Sequence, residues 1–420
     1  VNVLIGGITI VGVAASTQLS FSFLLGELVP MKWRFLGNAY LYVYAIPFSG
    51  LAPVIAQSLA SRGQSGWRWC FYIMIIINAL SLASYIAFYH PPTFDMINKR
   101  QSRKAMIKNF DYVGTVLFTG GGRLSSRPLA YMPIKEPLVP MKLFLNTDWT
   151  ASTLLLSIGA SIYYAFSIVW PQMAAGVYGV SGTRLGWISS IVPGCILLGQ
   201  IVGGALAKWI GHTRYQTMFV ISVGGALLAA VAAAKTDSMG LVMGLLIVGC
   251  FFIGWNESVT LVFAGMCITD QKEIGTAVGL AGSVRSAIST FATTIYTVVL
   301  SNRMTSTISS IVVPAVVEAG VLEEDIAALL ALLGAGGDVS VIPGVDAAVA
   351  EVLRDAYKEA ALQAFKTVFL TSLAFTGVGF VVSWWAPNVK SLMTDHVAVL
   401  VLKKKKGGES EAVGDTKQVV

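Results

Sequence analysis

Two ionisable residues, Glu257 and Arg285, stand well inside long apolar stretches of this 420-residue chain. A charge within a bilayer is costly, so one that occurs there is a candidate for function. Glu257 lies 12 residues before Thr269, and Arg285 lies 11 residues after Ile274. On helices both would sit about 16–18 Å from the same end of their spans, near the middle of a membrane. The turn between them is Asp270-Gln271-Lys272-Glu273, and a hairpin folded at Gln271 puts 257 and 285 at the same height. The spacing predicts that the two face one interior cavity and interact directly or through one neighbour. Such a pair can hold a proton or an anionic substrate; an ion pair that only locks the hairpin is the alternative.

Other polar residues share that depth. Trp255, Asn256 and Ser258 flank the acid with a flat apolar wall and hydrogen-bonding groups, a mixture suited to a small amphipathic ligand. Asn256-Glu257-Ser258 also matches a glycosylation sequon, which membrane depth would protect. Gln18 and Gln200 lie 12 and 10 residues from the cytoplasmic ends of their spans, and Asn78 is also mid-span. These amides could serve the site or merely bridge helices. Tyr163, Tyr164, Trp170 and Gln172 fall in the outer half of one span, with Pro171 as a kink. They suit an access path, and an interfacial aromatic belt suits Trp170 equally. Glu27 lies about one turn inside the first span's end, where it can snorkel or pair with Lys32 or Arg34; a gating ion pair is the sharper reading.

The elements that must position these residues follow from composition. Apolar residues make up 55% of the chain and charged residues 12%, about half of what a soluble surface requires. That excludes a soluble globular protein, a disordered chain and a nucleic-acid-binding domain, despite a net charge of +7. What remains is an all-α polytopic membrane protein. Nine stretches are long and apolar enough to span: 3–28, 35–60, 68–90, 149–176, 183–207, 215–235, 239–268, 274–301 and 364–387. Lys and Arg concentrate at 32–34, 99–108, 135–142, 208–214 and 403–406, which should therefore be cytoplasmic. The 302–363 connection has three bases against nine acids and should lie outside. Weakly amphipathic helices are expected within it near 314–333 and 345–362.

Charge parity fails in one place. The basic segments on either side of residues 111–134 both look cytoplasmic, yet between them lies a single apolar stub, Tyr112–Gly122. A helix of that length covers about 16 Å, too short to cross. The expectation is that the rest of one helix and all of the next are missing between Gly121 and Arg127; a re-entrant turn is the alternative. The chain starts at Val1 and goes straight into an apolar stretch, which reads as a fragment lacking its N-terminus.

Small residues at helical spacing, Gly199-x-x-x-Gly203 and Gly275-x-x-x-Gly279-x-x-Gly282, allow close helix approach. Pro47, Gly50 and Pro53 imply a bend in the second span. The four cysteines and three histidines are scattered, without metal spacing. There is no phosphate-binding G-x-x-x-x-G-K-[ST] loop and no hydrolase motif, so the chain reads as neither an enzyme nor an ATP-driven pump, with no cofactor and no metal.

Several segments together resemble the major facilitator superfamily, in its fourteen-span drug:proton antiporter branch, and more narrowly the fungal trichothecene efflux pump family. They are Gly26–Lys32, Gly66–Tyr72, Phe110–Gly114, Lys135–Met141, Tyr163–Phe166, Phe251–Glu257 and Gly275–Ser289. The resemblance implies two six-helix bundles with two inserted helices and alternating access. On that pattern residues 1–90 are three spans of an incomplete N-terminal bundle. Residues 91–147 are a cytoplasmic linker with a broken inserted helix at 111–122, and 148–301 are five spans of a near-complete C-terminal bundle. An extracellular acidic loop (302–363), the last span (364–387) and a basic cytoplasmic tail (388–420) follow. The family's fifth-span motif usually ends in Gly-Pro; Ala52-Pro53 stands here, with Gly50 nearby.

The resemblance further implies a monomer in the plasma membrane, or else the vacuolar membrane, exchanging a small hydrophobic toxin or drug for protons. Glu257, Arg285, Asn256, Trp255, Gln18, Gln200, Tyr164, Trp170 and Gln172 would line the substrate and proton pathway. Glu27, Lys32 and Arg34 would form the cytoplasmic gate. The alternatives are a ferric-siderophore:proton symporter of the same fold and a transport-inactive fragment.

Overall fold

The computed structural model describes residues 2–15, 20–63, 65–88, 112, 139–268, 273–318, 332 and 347–393. Among them the regular elements are helices, and no strand occurs. The helices are α1 (Asn2–Ala15), α2 (Ser20–Leu28), α3 (Arg34–Ala45), α4 (Ala52–Ala60), α5 (Arg68–Phe88), α6 (Met141–Leu145) and α7 (Thr147–Gly176). They continue with α8 (Gly182–Ser189), α9 (Ile191–Ile210), α10 (Thr213–Ala230), α11 (Met239–Met266), α12 (Ile274–Thr307), α13 (Val313–Glu318) and α14 (Ala347–Ser383). The chain divides into two compact units, residues 59–150 and the remainder.

Among the described residues seven helical runs are long and apolar enough to cross a membrane: Met31–Ala60, α5, α7, Gly182–Ile210, Thr213–Ala233, α11 and Val349–Ser383. Two of the nine expected spans are not among them. The 3–28 stretch forms two helices of 14 and 9 residues, with 16–19 between them outside the described residues. The 274–301 stretch is helical throughout α12, but its many Ser and Thr residues lower its hydropathy. Ser283, Ser289, Thr290, Thr294 and Thr297 donate their hydroxyl hydrogens to carbonyls three or four residues earlier, so the polarity is satisfied within the helix. The stub at 112–122 and the basic tail beyond 393 lie outside the described residues, save Tyr112.

In the larger unit α11 is central. It packs against α9 and α10, while α14 covers α10 and α12, and α3 lies on α9 and α11. Glycine makes the closest crossing possible. A Cβ on Gly199 would stand 1.9 Å from the Phe251 carbonyl oxygen, and one on Gly203 would stand 2.5 Å from the Trp255 ring. The hydrophobic core, with Phe166, Trp170, Ile196, Leu228, Ile253, Tyr296 and Phe369 at its centre, fills the space among α7, α9, α10, α11, α12 and α14.

The expected bend in the second span is a π-turn, Ile46–Gly50, between α3 and α4. Pro47 has no N–H to give to the preceding turn, and the Leu51 N–H reaches back five residues to Ile46 O at 3.2 Å. At the α9–α10 corner Gly211 (φ 62°) and His212 (φ 46°) take left-handed conformations. Gln216 Nε2 donates to Ala207 O at 3.1 Å, adding a second bond to a carbonyl that already accepts the Gly211 N–H at 3.2 Å. Thr213 Oγ1 donates to Pro387 O at 3.0 Å and Arg214 Nε to Ala386 O at 2.8 Å, fastening the end of α14 to the start of α10.

The acidic connection is helical at both described ends. After α12 come a π-turn, Ile308–Val312, and α13; α14 starts at Ala347. Val312, Val316, Ala350, Leu353 and Ala360 form a small core of their own there. With 34 and 37 residues, α12 and α14 are about 51 and 55 Å long, well beyond a ~30 Å hydrocarbon core.

In the smaller unit α5 exposes Trp69, Phe71, Ile75, Leu82 and Phe88, an apolar surface suited to lipid. Asn78 Nδ2 donates to Met74 O at 2.8 Å within the same helix, so it bridges nothing among the described residues. Asn146 caps α7 by accepting the Trp149 N–H at 3.1 Å.

Candidate functional site

Four helices of the larger unit converge on one carboxylate. Glu257, from α11, is 3% exposed. Its Oε1 accepts hydrogen bonds from Arg285 of α12, through Nε at 3.1 Å and through Nη2. Its Oε2 accepts from Gln200 Nε2 of α9 at 3.1 Å. Arg285 Nη1 in turn donates to the Tyr164 hydroxyl of α7 at 3.4 Å, and the guanidinium carbon lies 5.5 Å from that ring's centroid. Both carboxylate oxygens are therefore engaged, one by a charge and one by an amide. Burial of this depth is tolerable for an acid because its lone pairs are met.

The shell is built from the residues around Glu257 and from α3. Asn256 is wholly buried and donates Nδ2 to Leu155 O of α7 at 3.2 Å, which fixes α7 beside α11. Trp255 lies against Gly203, where glycine alone leaves room for its ring. Ser258 Oγ accepts from Asn38 Nδ2 of α3 at 3.3 Å. One turn further along α3 stands Tyr42, and Tyr163 of α7 lies beside Tyr164 with ring centroids 4.9 Å apart. Asn38 and Tyr42 were not singled out from the sequence. The available signal was their spacing of four, which puts both on one face of an otherwise largely apolar helix.

The structure thus brings together Glu257, Arg285, Gln200 and Tyr164, with Asn256 and Trp255 behind them. It places Trp170 elsewhere. That residue is fully buried, and its Nε1 donates to Ile188 O at 2.8 Å, tying α7 to α8. Gln172 is exposed. Gln18 and the side chain of Glu27 lie outside the described residues. Arg34 is 3% exposed and donates to the carbonyls of Gly26, Val29 (3.4 Å) and Gly265 (3.4 Å), joining the last turns of α2 and α11. Lys32 is half-buried with its ammonium 6.0 Å from the Trp33 ring, and Lys208 stands 3.5 Å from the same ring. Among the described residues no cluster of His, Cys, Asp and Glu could hold a metal, and the four cysteines are free.

Long apolar helices packed around a buried, hydrogen-bonded ion pair mark the described residues as those of a multi-pass integral membrane protein. The chain matches the profile described as Fungal trichothecene efflux pump over residues 1–130 and 127–418, and it belongs to that family. It is 23% identical to a trichothecene efflux pump of Fusarium sporotrichioides, over 99% of this chain and 76% of that one. It is 26% identical to a trichothecene efflux pump of Trichoderma arundinaceum, over 94% and 73%. It is 28% identical to an MFS-type transporter of Penicillium rubens, over 95% and 79%. The family and these relatives establish transmembrane efflux of a small molecule as the general activity.

Proposed function

We propose that the chain exports a small hydrophobic compound, a trichothecene or a related toxin, in exchange for protons by alternating access. The observation that carries this is Glu257: among the described residues it is the one buried acid, and groups from α9 and α12 share its two oxygens. In this reading Glu257 is the proton carrier. Protonation removes the charge that holds Arg285 and turns one oxygen from acceptor to donor, loosening the links from α11 to α9 and α12. Arg285 keeps its contact with Tyr164 and becomes available to a substrate oxygen. Loss of the proton restores the pair and closes the site. Gln200 and Tyr164 position the two charged groups, and Trp255, Asn256 and Tyr163 form the wall. The transporter acts as a monomer in the plasma membrane, with the vacuolar membrane as the alternative site.

The test is transport of a radiolabelled trichothecene by the purified chain in proteoliposomes, with and without a pH gradient. Wild type should move the toxin against the direction of proton flow. Glu257→Gln should lose gradient-driven transport by at least about tenfold while still exchanging label at equal pH. Transport indifferent to the gradient, or a Glu257→Gln variant as fast as wild type, would sink the proton-carrier role. Movement of a ferric siderophore along with protons would favour the symporter instead, and no transport of either compound would mark an inactive chain.

A further inference from the structure

A second group of side chains lies further along α12, eleven residues beyond Arg285. Tyr296 is 0% exposed, and its hydroxyl has no hydrogen-bond partner. Its ring stacks on Phe375 of α14, with centroids 5.2 Å apart and planes at 29°. It also meets Phe166 of α7 at 6.1 Å and 46°, and Phe166 stacks on Phe369 of α14 at 5.0 Å and 13°. Four rings from three helices are thus in contact as two stacked pairs, and the hydroxyl of one of them is buried without a partner.

An orphaned buried hydroxyl weakens a fold, and a phenylalanine would fill the same place without it. Thr297, Ser372 and Thr376 nearby each donate to a carbonyl of their own helix, whereas Ser167, next to Phe166, shares the lack of a partner. Tyr296 has a phenol too far out on its ring to do this. Its oxygen has a use only if something else brings a partner. The near-parallel ring pairs say what that partner looks like. A flat ring can take the place of one ring in a stack when α7 and α14 part, and keep most of the apolar contact.

We propose that Phe166, Tyr296, Phe369 and Phe375 form a second substrate site, for a flat uncharged ring compound carrying a hydrogen-bond acceptor, with the Tyr296 hydroxyl as donor. The site rests on the efflux reading only in needing these helices to separate. It is distinct from the Glu257–Arg285 pair, which offers charge where this site offers a single neutral hydrogen bond. A site with one buried donor should discriminate sharply against a ligand that lacks the acceptor.

The probes are 9-fluorenone and fluorene, the same flat tricycle with and without one carbonyl oxygen. Equilibrium binding of each, tritiated, is measured on the purified full chain in nanodiscs. Wild type should bind fluorenone about tenfold more tightly than fluorene. Tyr296→Phe should bring the two affinities together and should leave the unfolding temperature unchanged or raised, since it removes an unpartnered group. Phe369→Leu should weaken both probes by a similar factor. An unchanged fluorenone preference in Tyr296→Phe, or failure of folded wild type to bind either probe, would overturn the site. The two readings separate cleanly: fluorenone binding without pH-driven transport refutes proton-coupled efflux and keeps this site. Transport with an unaltered preference in Tyr296→Phe does the reverse.

Discussion

Gly254 of α11 lies so close to Ile196 of α9 that a methyl group on its α-carbon would stand 2.0 Å from the Ile196 carbonyl oxygen. The obstacle is backbone and cannot turn aside. Gly254→Ala must widen the α9–α11 crossing and should cost about 1–3 kcal/mol, as overpacking does. Gly244, on the same helix, has no atom within 4 Å of an added Cβ. Gly244→Ala should therefore be neutral or slightly stabilising, by up to about 1 kcal/mol through helix propensity. Thermal unfolding of the two purified variants checks this; equal midpoints would mean the crossing is looser than described.

The Glu257–Arg285 pair makes a prediction about stability that is separate from transport. The two side chains are 4% and 12% exposed. Removing one partner leaves a charge stranded, so Arg285→Gln alone should cost about 3–5 kcal/mol. The double variant Glu257→Gln/Arg285→Gln should recover a large part of that loss, because no bare charge remains. A double-mutant cycle by chemical unfolding in detergent measures the coupling, and simple additivity would contradict it.

Arg34 holds the ends of α2 and α11 through carbonyls, using Nε and both terminal nitrogens. Lysine carries the same charge but offers a single point donor on a flexible stem. Arg34→Lys should lose about 2 kcal/mol, and Arg34→Met more. Limited proteolysis after Lys32 or Arg62 offers a local readout: cleavage should speed up at Lys32 and not at Arg62.

The family match comes in two stretches that meet at residues 127–130. Charge parity fails at the same place, after the short apolar stub at 112–122. We expect transcripts with additional in-frame sequence between Gly121 and Arg127, enough for about one and a half helices. Amplification of complementary DNA across this junction decides the matter, and a product of the length given by the present sequence would dispose of the idea.

Much of the architecture could be read from the chain because hydrocarbon imposes a single rule, a long apolar helix. Counting residues from Gln271 put Glu257 opposite Arg285, since an antiparallel hairpin fixes height by symmetry. Gln200 came from the same kind of count. Asn38 could not be reached that way. Its partner Ser258 lies 220 residues on, and nothing local tells which face of α3 meets α11. Trp170 was ambiguous for a related reason: an indole suits an interface, a path or a core, and only the Ile188 carbonyl settles its place here. The helical acidic connection was partly legible. The amphipathic pattern near 345–362 was visible, but its continuity with the last span depends on packing against α13 and the preceding π-turn.

The π-turn at Ile46–Gly50 holds one residue more than an α-turn, and an extra residue rotates all that follows by about 100°. A helical wheel drawn straight through 34–60 therefore assigns the wrong side to every position after Gly50. The phase matters at Gly186, where an added Cβ would stand 3.0–3.1 Å from Val54 Cα, Gln57 Cβ and the Pro53 carbonyl. Deleting a single residue, such as Ser49, would convert the turn to plain α-helix and swing a different row of α4 against a glycine with no space for it. The span would keep its length and its hydropathy and still present the wrong edge, so this stretch should accept substitutions far more readily than any change in its residue count.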